Sequence, residues 1–260
     1  DRAFTYQGNL TASYGWNKVI TQDYAQNALP IDIPTGRSMT VIRGYQFDRI
    51  IRTQSDLDKF NSEHPKYSYN GITPELGMMT YKDLSGPEGT PDGLIDRYDR
   101  IVIKPSNFPV VYGLNLGGSW KGFSVDLMFN GNLKYKKSFQ DLAGGVEWNR
   151  MYSGWYDDSW TPDNPNATLP KRISASQSNT YGAASTYWYR NAGFVRLKYL
   201  TLGYTIPARL YNKALESVKL YFSGTNLFNL TGFSYYDPEI GDGTAYPVMR
   251  NFNFGVNVTF

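Results

Sequence analysis

Trp148, Trp155, Tyr156, Trp160, Tyr187 and Trp188 fall between residues 134 and 193. Aromatic faces of this kind stack on sugar rings, and Asp157, Asp158 and Arg190 beside them can hydrogen-bond hydroxyls. The same rings can instead pack a long loop down or sit in a membrane girdle. The turn Tyr235-Tyr-Asp-Pro-Glu239 carries the same two possibilities. An acidic stretch, Asp83, Asp92, Asp96 and Asp99, offers oxygen donors at the short spacing that suits calcium. Gly86 to Pro91 interrupts it and breaks the EF-hand spacing. The stretch therefore reads as a solvated turn around Asp92-Gly93, with Asp99 pairing to Arg97 or Arg100, and no cofactor is expected. Catalysis has little support. His64 is the only histidine and stands beside Pro65 in a polar stretch, so a triad or zinc site lacks its parts. The adjacent pair Asp157-Asp158 has no assignable partner for glycosidase chemistry. No GxxxxGK[ST] phosphate loop occurs.

The elements that position these residues are strands. Aromatic residues make up 16% of the chain, with 22 Tyr and 25 Gly, a composition that favours all-β structure and interface surfaces. A mean hydropathy of −0.47 and the lack of a long apolar run exclude a transmembrane helix. A transmembrane barrel remains open, because its strands alternate and average out as polar. The net charge of +3 gives no reason to propose nucleic acid. Cysteine is absent, so there is neither disulfide framework nor thiol chemistry.

From Asn251 to Phe260 one face carries Phe252, Phe254, Val256, Val258 and Phe260, and the other carries Asn251, Asn253, Gly255, Asn257 and Thr259. This period of two is a strand with one greasy and one polar face. Val110 to Trp120 repeats it, Lys121-Gly122 makes a tight turn, and Phe123 to Asn130 returns. Leu200 to Ile206 and Val218 to Ser223 alternate in the same way. Weaker patterns at Phe4–Trp16 and Met39–Ile51 bring the expectation to about seven strands.

With the C-terminus placed in the periplasm, connections 230–249, 134–193 and 52–107 fall outside. Those at 207–216, 121–122 and 17–38 fall inside, where 17–38 is long for a periplasmic turn. Long loops on one side are the asymmetry of bacterial barrels. Seven strands would leave two unpaired edges in lipid, so further strands from another chain or another piece of the same chain are expected. The same parity starts the first strand on the outside, placing a break before Asp1 in an extracellular loop.

Several segments resemble, in order, the C-terminal third of SusC/RagA-family TonB-dependent transporters. They are Gly77-Met-Met-Thr-Tyr-Lys-Asp-Leu84 with Asp92-Gly-Leu-Ile-Asp-Arg-Tyr-Asp-Arg100, and Phe108 to Leu116 with Trp120-Lys-Gly-Phe123. Trp160-Thr-Pro-Asp-Asn-Pro-Asn-Ala-Thr-Leu-Pro170, Phe194 to Pro207, Val218 to Phe228, and Tyr236-Asp-Pro-Glu239 follow. Phe260, an aromatic closing the last strand, resembles the signal read by the barrel assembly machinery. The resemblance implies that residues 1–260 are the C-terminal portion of a 22-stranded outer-membrane barrel, with plug and TonB box outside this chain. It further implies a SusD-like lipoprotein lid, TonB as energy source, pairs of such complexes, contact with outer-membrane lipid and lipopolysaccharide, and an oligosaccharide or peptide ligand. The rival readings are a soluble carbohydrate-binding β-sandwich, a glycan hydrolase and a passive porin.

Overall fold

A computed structural model describes residues 4–140, 153–172, 183–210, 215–241 and 245–260. Six long strands form one antiparallel sheet. They are β1 (Thr5–Tyr14), β8 (Val110–Trp120), β9 (Phe123–Leu133), β12 (Phe194–Thr205), β13 (Ser217–Thr231) and β14 (Asn251–Thr259), in the order β1-β8-β9-β12-β13-β14. The eight other strands are short: β2 (Ile42–Gly44), β3 (Phe47–Ile50), β4 (Ser68–Tyr69), β5 (Met79–Tyr81), β6 (Leu94–Ile95), β7 (Ile101–Lys104), β10 (Lys136–Ser138) and β11 (Tyr189–Asn191). They pair two by two outside the main sheet. The helices are α1 (Gln54–Glu63), opened by a Thr53–Asp56 capping box, and the short α2 (Ser153–Asp158). No helix among the described residues is long and apolar enough to cross a membrane.

The register extends the sequence pattern into a two-faced wall. Trp120, Phe123, Tyr204, Leu220 and Val256 lie in one cross-strand row, and Gly118, Val125, Leu202, Phe222 and Phe254 in the next. Leu116, Leu127, Leu200, Gly224 and Phe252 make a third, and Tyr6 and Leu10 of β1 continue the same face. Every second residue turns to the opposite side, so that side collects Gln7, Asn9, Asn115, Asp126, Thr201, Lys219 and Asn253. Lys198 is an extra residue of β12 opposite β9. It forms a bulge between Leu197 and Tyr199 that keeps Leu197 and Val195 on the apolar side.

Two glycines are covered by the ring directly opposite. The Tyr112 phenol lies where a Cβ of Gly131 would stand and donates to the Phe194 carbonyl at 3.0 Å. Tyr221 covers Gly255 in the same way on the polar side. Each pair restores packing that the glycine gives up.

Where about seven wall strands were expected, the described residues form six. Met39–Ile51 is not a wall strand: it contributes β2, paired with β7, and β3, paired with β5. β1 pairs directly with β8, Tyr14 opposite Val110. The connections 15–109, 134–193 and 232–250 therefore all leave the same end of the sheet, and 121–122 and 206–216 the other. The long connection expected on the short-turn side at 17–38 disappears into the first of these excursions. β1 begins at the short-turn end, opposite to the expectation.

Apart from Phe194 and Leu197 of β12, the buried apolar core among the described residues lies outside the wall. The long excursions fold over their end of the sheet into a cap with two apolar clusters. One gathers Ile50, Met78, Met79, Phe139, Leu169, Tyr187, Trp188 and Phe233. The other gathers Ile51, Phe60, Tyr67, Tyr69, Tyr81 and Ile95. Away from Leu197 the apolar sheet face stays largely uncovered: Tyr6, Leu10, Trp120, Phe123, Leu202, Leu220, Phe252, Phe254 and Val256 are all exposed.

Candidate vestibule between the polar sheet face and the loop cap

The polar face offers amides and hydroxyls, which both donate and accept. Its charges are few: Asp126, Arg196, Lys198 and Lys219. Buried polar atoms of this face, including Ser124 Oγ, Thr201 Oγ1, Asn132 Oδ1 and Asn229 Oδ1, have no protein partner among the described residues. Buried polar atoms need partners, so this side is built to meet water, ligand or further protein.

A loop is tied onto that face from the cap. Arg196, 3% exposed, reaches both carboxylate oxygens of Asp237 at 2.5 Å and Glu239 at 3.1 Å. Lys198, the bulged residue, pairs with Glu239 at 2.9 Å, and Asn130 Nδ2 donates to the same carboxylate at 3.2 Å. Next to this latch the Tyr235 ring stacks on Phe139 with centroids 3.7 Å apart and planes 2° off parallel. The Tyr236 hydroxyl donates to the Ser138 carbonyl at 2.7 Å, and Lys137 Nζ donates to the Ile240 carbonyl over the Tyr236 ring. The Tyr235–Glu239 turn is thus a clamp between loop and wall.

The expected aromatic contacts divide. Trp160 is buried; its Nε1 donates to the Arg52 carbonyl at 3.0 Å, and its ring rests on Gly77. Gly77 stands at φ 78°, a conformation glycine adopts without penalty, and a Cβ there would meet the indole at 2.4 Å. Tyr187 and Trp188 are buried in the first cluster, and the Tyr187 hydroxyl donates to the Thr168 carbonyl at 2.5 Å. These three rings pack the cap. Trp148 and the side chains of Trp155 and Tyr156 lie outside the described residues. Asp158 accepts from the Thr168 amide at 3.0 Å and from its hydroxyl, and Arg190 donates to the Tyr187 carbonyl. Exposed aromatic surface at the long-loop end comes instead from Trp16, Tyr24 and Tyr246. Trp16 closes the weak strand pattern Phe4–Trp16 and stacks on Tyr14 with centroids 6.4 Å apart, whereas nothing in the spacing around Tyr24 or Tyr246 marked them.

The acidic stretch is an internally bonded turn. Asp99, buried, accepts from the amides of Leu84 at 2.7 Å, Ser85 at 3.1 Å and Asp96 at 2.9 Å. It does not pair with Arg100, which binds Asp32 at 2.5 Å. Burial holds the Asp99 carboxyl above its ordinary value, against the pull of those amides. Asp83 accepts from Gly93 N, and Asp92 from Leu94 N. Among the described residues no three acidic or imidazole groups gather at one point. His64 closes α1 and its ring packs on Phe60, 4.7 Å between centroids. Phe260 is 87% exposed beyond the end of β14.

A wall apolar on one side and polar on the other, with its long connections at one end, is the construction of an outer-membrane β-barrel. No family model matches the chain. Curated relatives do. TonB-dependent receptor P26 of Formosa agariphila is 25% identical over 253 residues, covering 86% of this chain and 23% of that protein. TonB-dependent receptor SusC of Bacteroides thetaiotaomicron is 23% identical over 199 residues, covering 75% of this chain and 19% of that protein. The RagAB peptide transporter structure superimposes with a TM-score of 0.65 at 19% identity, over 99% of this chain and 27% of that one. The chain is SusC/RagA-like, a TonB-dependent-transporter type of sequence on the matching fold. It spans about a quarter of the length of the curated relatives it matches.

Proposed function

We propose that this chain is the C-terminal barrel segment of an outer-membrane TonB-dependent nutrient importer. The observation that carries this is the uncovered apolar face. Residues such as Phe254, 82% exposed, belong to a continuous face of six strands over which the described residues place no second sheet. A soluble sandwich would bury that face against another sheet; lipid covers it here. The wall strands have 9 to 15 residues, enough to cross a bilayer with tilt. The free edges of β1 and β14 pair with the remaining barrel strands, because unsatisfied backbone groups are costly in lipid.

On this reading the short turns are periplasmic and the cap is extracellular. Ligand passes along the polar face, with Trp16, Tyr24 and Tyr246 as contacts for ligand or lid. An oligosaccharide or an oligopeptide both suit a face rich in neutral amides and hydroxyls. A SusD-like lipoprotein closes the vestibule, TonB supplies energy through the plug, and the transporter–lipoprotein pair dimerises. The proposed role is transport and not catalysis, and it requires no cofactor. The test is detergent extraction of the natural outer membrane with mass spectrometry of the purified complex. This chain joined to plug and barrel segments, with a lipoprotein alongside, is the expected result; recovery as a detergent-free monomer overturns the proposal.

A further inference from the structure

The apolar face is not uniform. Near the short-turn end it sinks into a groove of about 700 Å³, floored by Gly118, Val125 and Leu202 and walled by Trp120, Phe123 and Phe222. The floor is low because Gly118, with no side chain, stands in the row of Val125 and Leu202. Its walls are bulky. Trp120 and Phe123 face each other across the hairpin at the strand ends, and Phe123 packs on Tyr204 with centroids 4.5 Å apart. From the Trp120 row to the Leu116 row the groove runs four residues, about 13 Å at strand rise.

A cation stands beside Trp120, a wall of the groove. Lys121, first residue of the turn, places its Nζ 4.6 Å from the Trp120 ring centroid. The turn fixes it there: Lys121 and Gly122 both have positive φ, 48° and 89°, as a two-residue hairpin turn requires. An apolar trough opening beside an ammonium held on a tryptophan matches one ligand chemistry, an acyl chain continuous with an anionic headgroup. Trp and Lys are also the side chains that settle at the headgroup level.

We propose that this groove is a specific phospholipid site. One acyl chain lies along Gly118, Val125 and Leu202, and the phosphate rests on Lys121 in the periplasm-facing leaflet. The site rests on the barrel reading above. It goes beyond it by separating one held lipid from the mobile lipid that coats the remaining wall.

The full-length transporter, purified in mild detergent and supplied with phosphatidylglycerol, is analysed by native mass spectrometry. Heat-modifiable migration on gels first verifies barrel assembly in each variant; if even the unsubstituted protein lacks it, the barrel reading fails rather than the lipid site. In assembled protein, one phosphatidylglycerol is expected to survive conditions that strip the rest. Leu202→Trp, which fills the floor, and Lys121→Glu, which repels phosphate, are expected to cut its occupancy roughly tenfold, a shift of about 1.4 kcal/mol. Leu10→Trp, on the same face outside the groove, is expected to retain it. Equal retention in all variants, equal loss in all three, or no lipid kept by the unsubstituted protein overturns the site.

Discussion

Arg196 and Asp237 join a wall strand to a loop of the cap, with the guanidinium 3% exposed and the carboxylate oxygens 2.5 Å away. The pair sits on the polar side of the sheet, so loop 232–241 folds over that side. Removing one partner of such a buried pair leaves the other uncompensated, at a typical cost of about 3–5 kcal/mol. Asp237 is partly exposed and Glu239 still reaches Arg196, which places Asp237→Ala at the low end of that range. Its expected effect is local: loop 232–241 gains hydrogen exchange and protease cleavage, while the wall keeps its protection.

Gly77 is expected to tolerate no side chain. Gly77→Ala combines a left-handed backbone, costing about 1–2 kcal/mol, with a Cβ that meets the Trp160 ring. A melting curve followed by Trp fluorescence should show the cap loosening first. The neighbouring Gly71 also has positive φ but open space around its Cβ position, so Gly71→Ala should cost only the backbone part.

Alkali should release the cap before the wall. Burial raises the Tyr69 phenol to about 12 and also raises Tyr67 and Tyr187. A folded value above the ordinary 10 means that the folded state holds its proton longer than the unfolded state. The stability this contributes is complete below pH 10 and is lost as pH climbs from 10 toward 12. Absorbance at 295 nm should show a delayed class of tyrosines whose ionisation coincides with cap unfolding, and Tyr69→Phe should delay the loosening.

The two faces should respond oppositely to charge. Leu200 lies on the apolar side and Thr201 on the polar side of the same strand. Leu200→Arg near the strand centre is expected to cost about 2–4 kcal/mol in a bilayer and to reduce assembled barrel. Thr201→Arg should assemble normally and alter only passage of ligand. Equal damage from both changes would contradict the assigned sidedness.

Much of the wall was legible because period-two alternation is local. The strand Asn251–Thr259 and the hairpin around Lys121-Gly122 need no distant partner to be recognised. Met39–Ile51 misled because its apolar residues suggest a strand, while Arg43, Gly44, Asp48 and Arg49 suit short pairings in the cap. The correction also resolves the overlong turn at 17–38. The cap itself was not legible: Phe139 on Tyr235 and Trp160 on Gly77 are contacts between segments far apart in sequence. For the same reason Trp160, Tyr187 and Trp188 were open to a ligand-facing reading until their burial was seen.

Sidedness decides whether this sheet spans the outer membrane with its cap outside, and the chain contains no cysteine to confuse labelling. Single changes Glu88→Cys, in the cap, and Lys121→Cys, in the short turn, are introduced into the full-length transporter in its natural host. A membrane-impermeant maleimide is then applied to intact cells, with the unsubstituted protein as background. Glu88→Cys is expected to label on intact cells and Lys121→Cys only after permeabilisation. Labelling of both on intact cells, or of Lys121→Cys alone, would contradict the barrel.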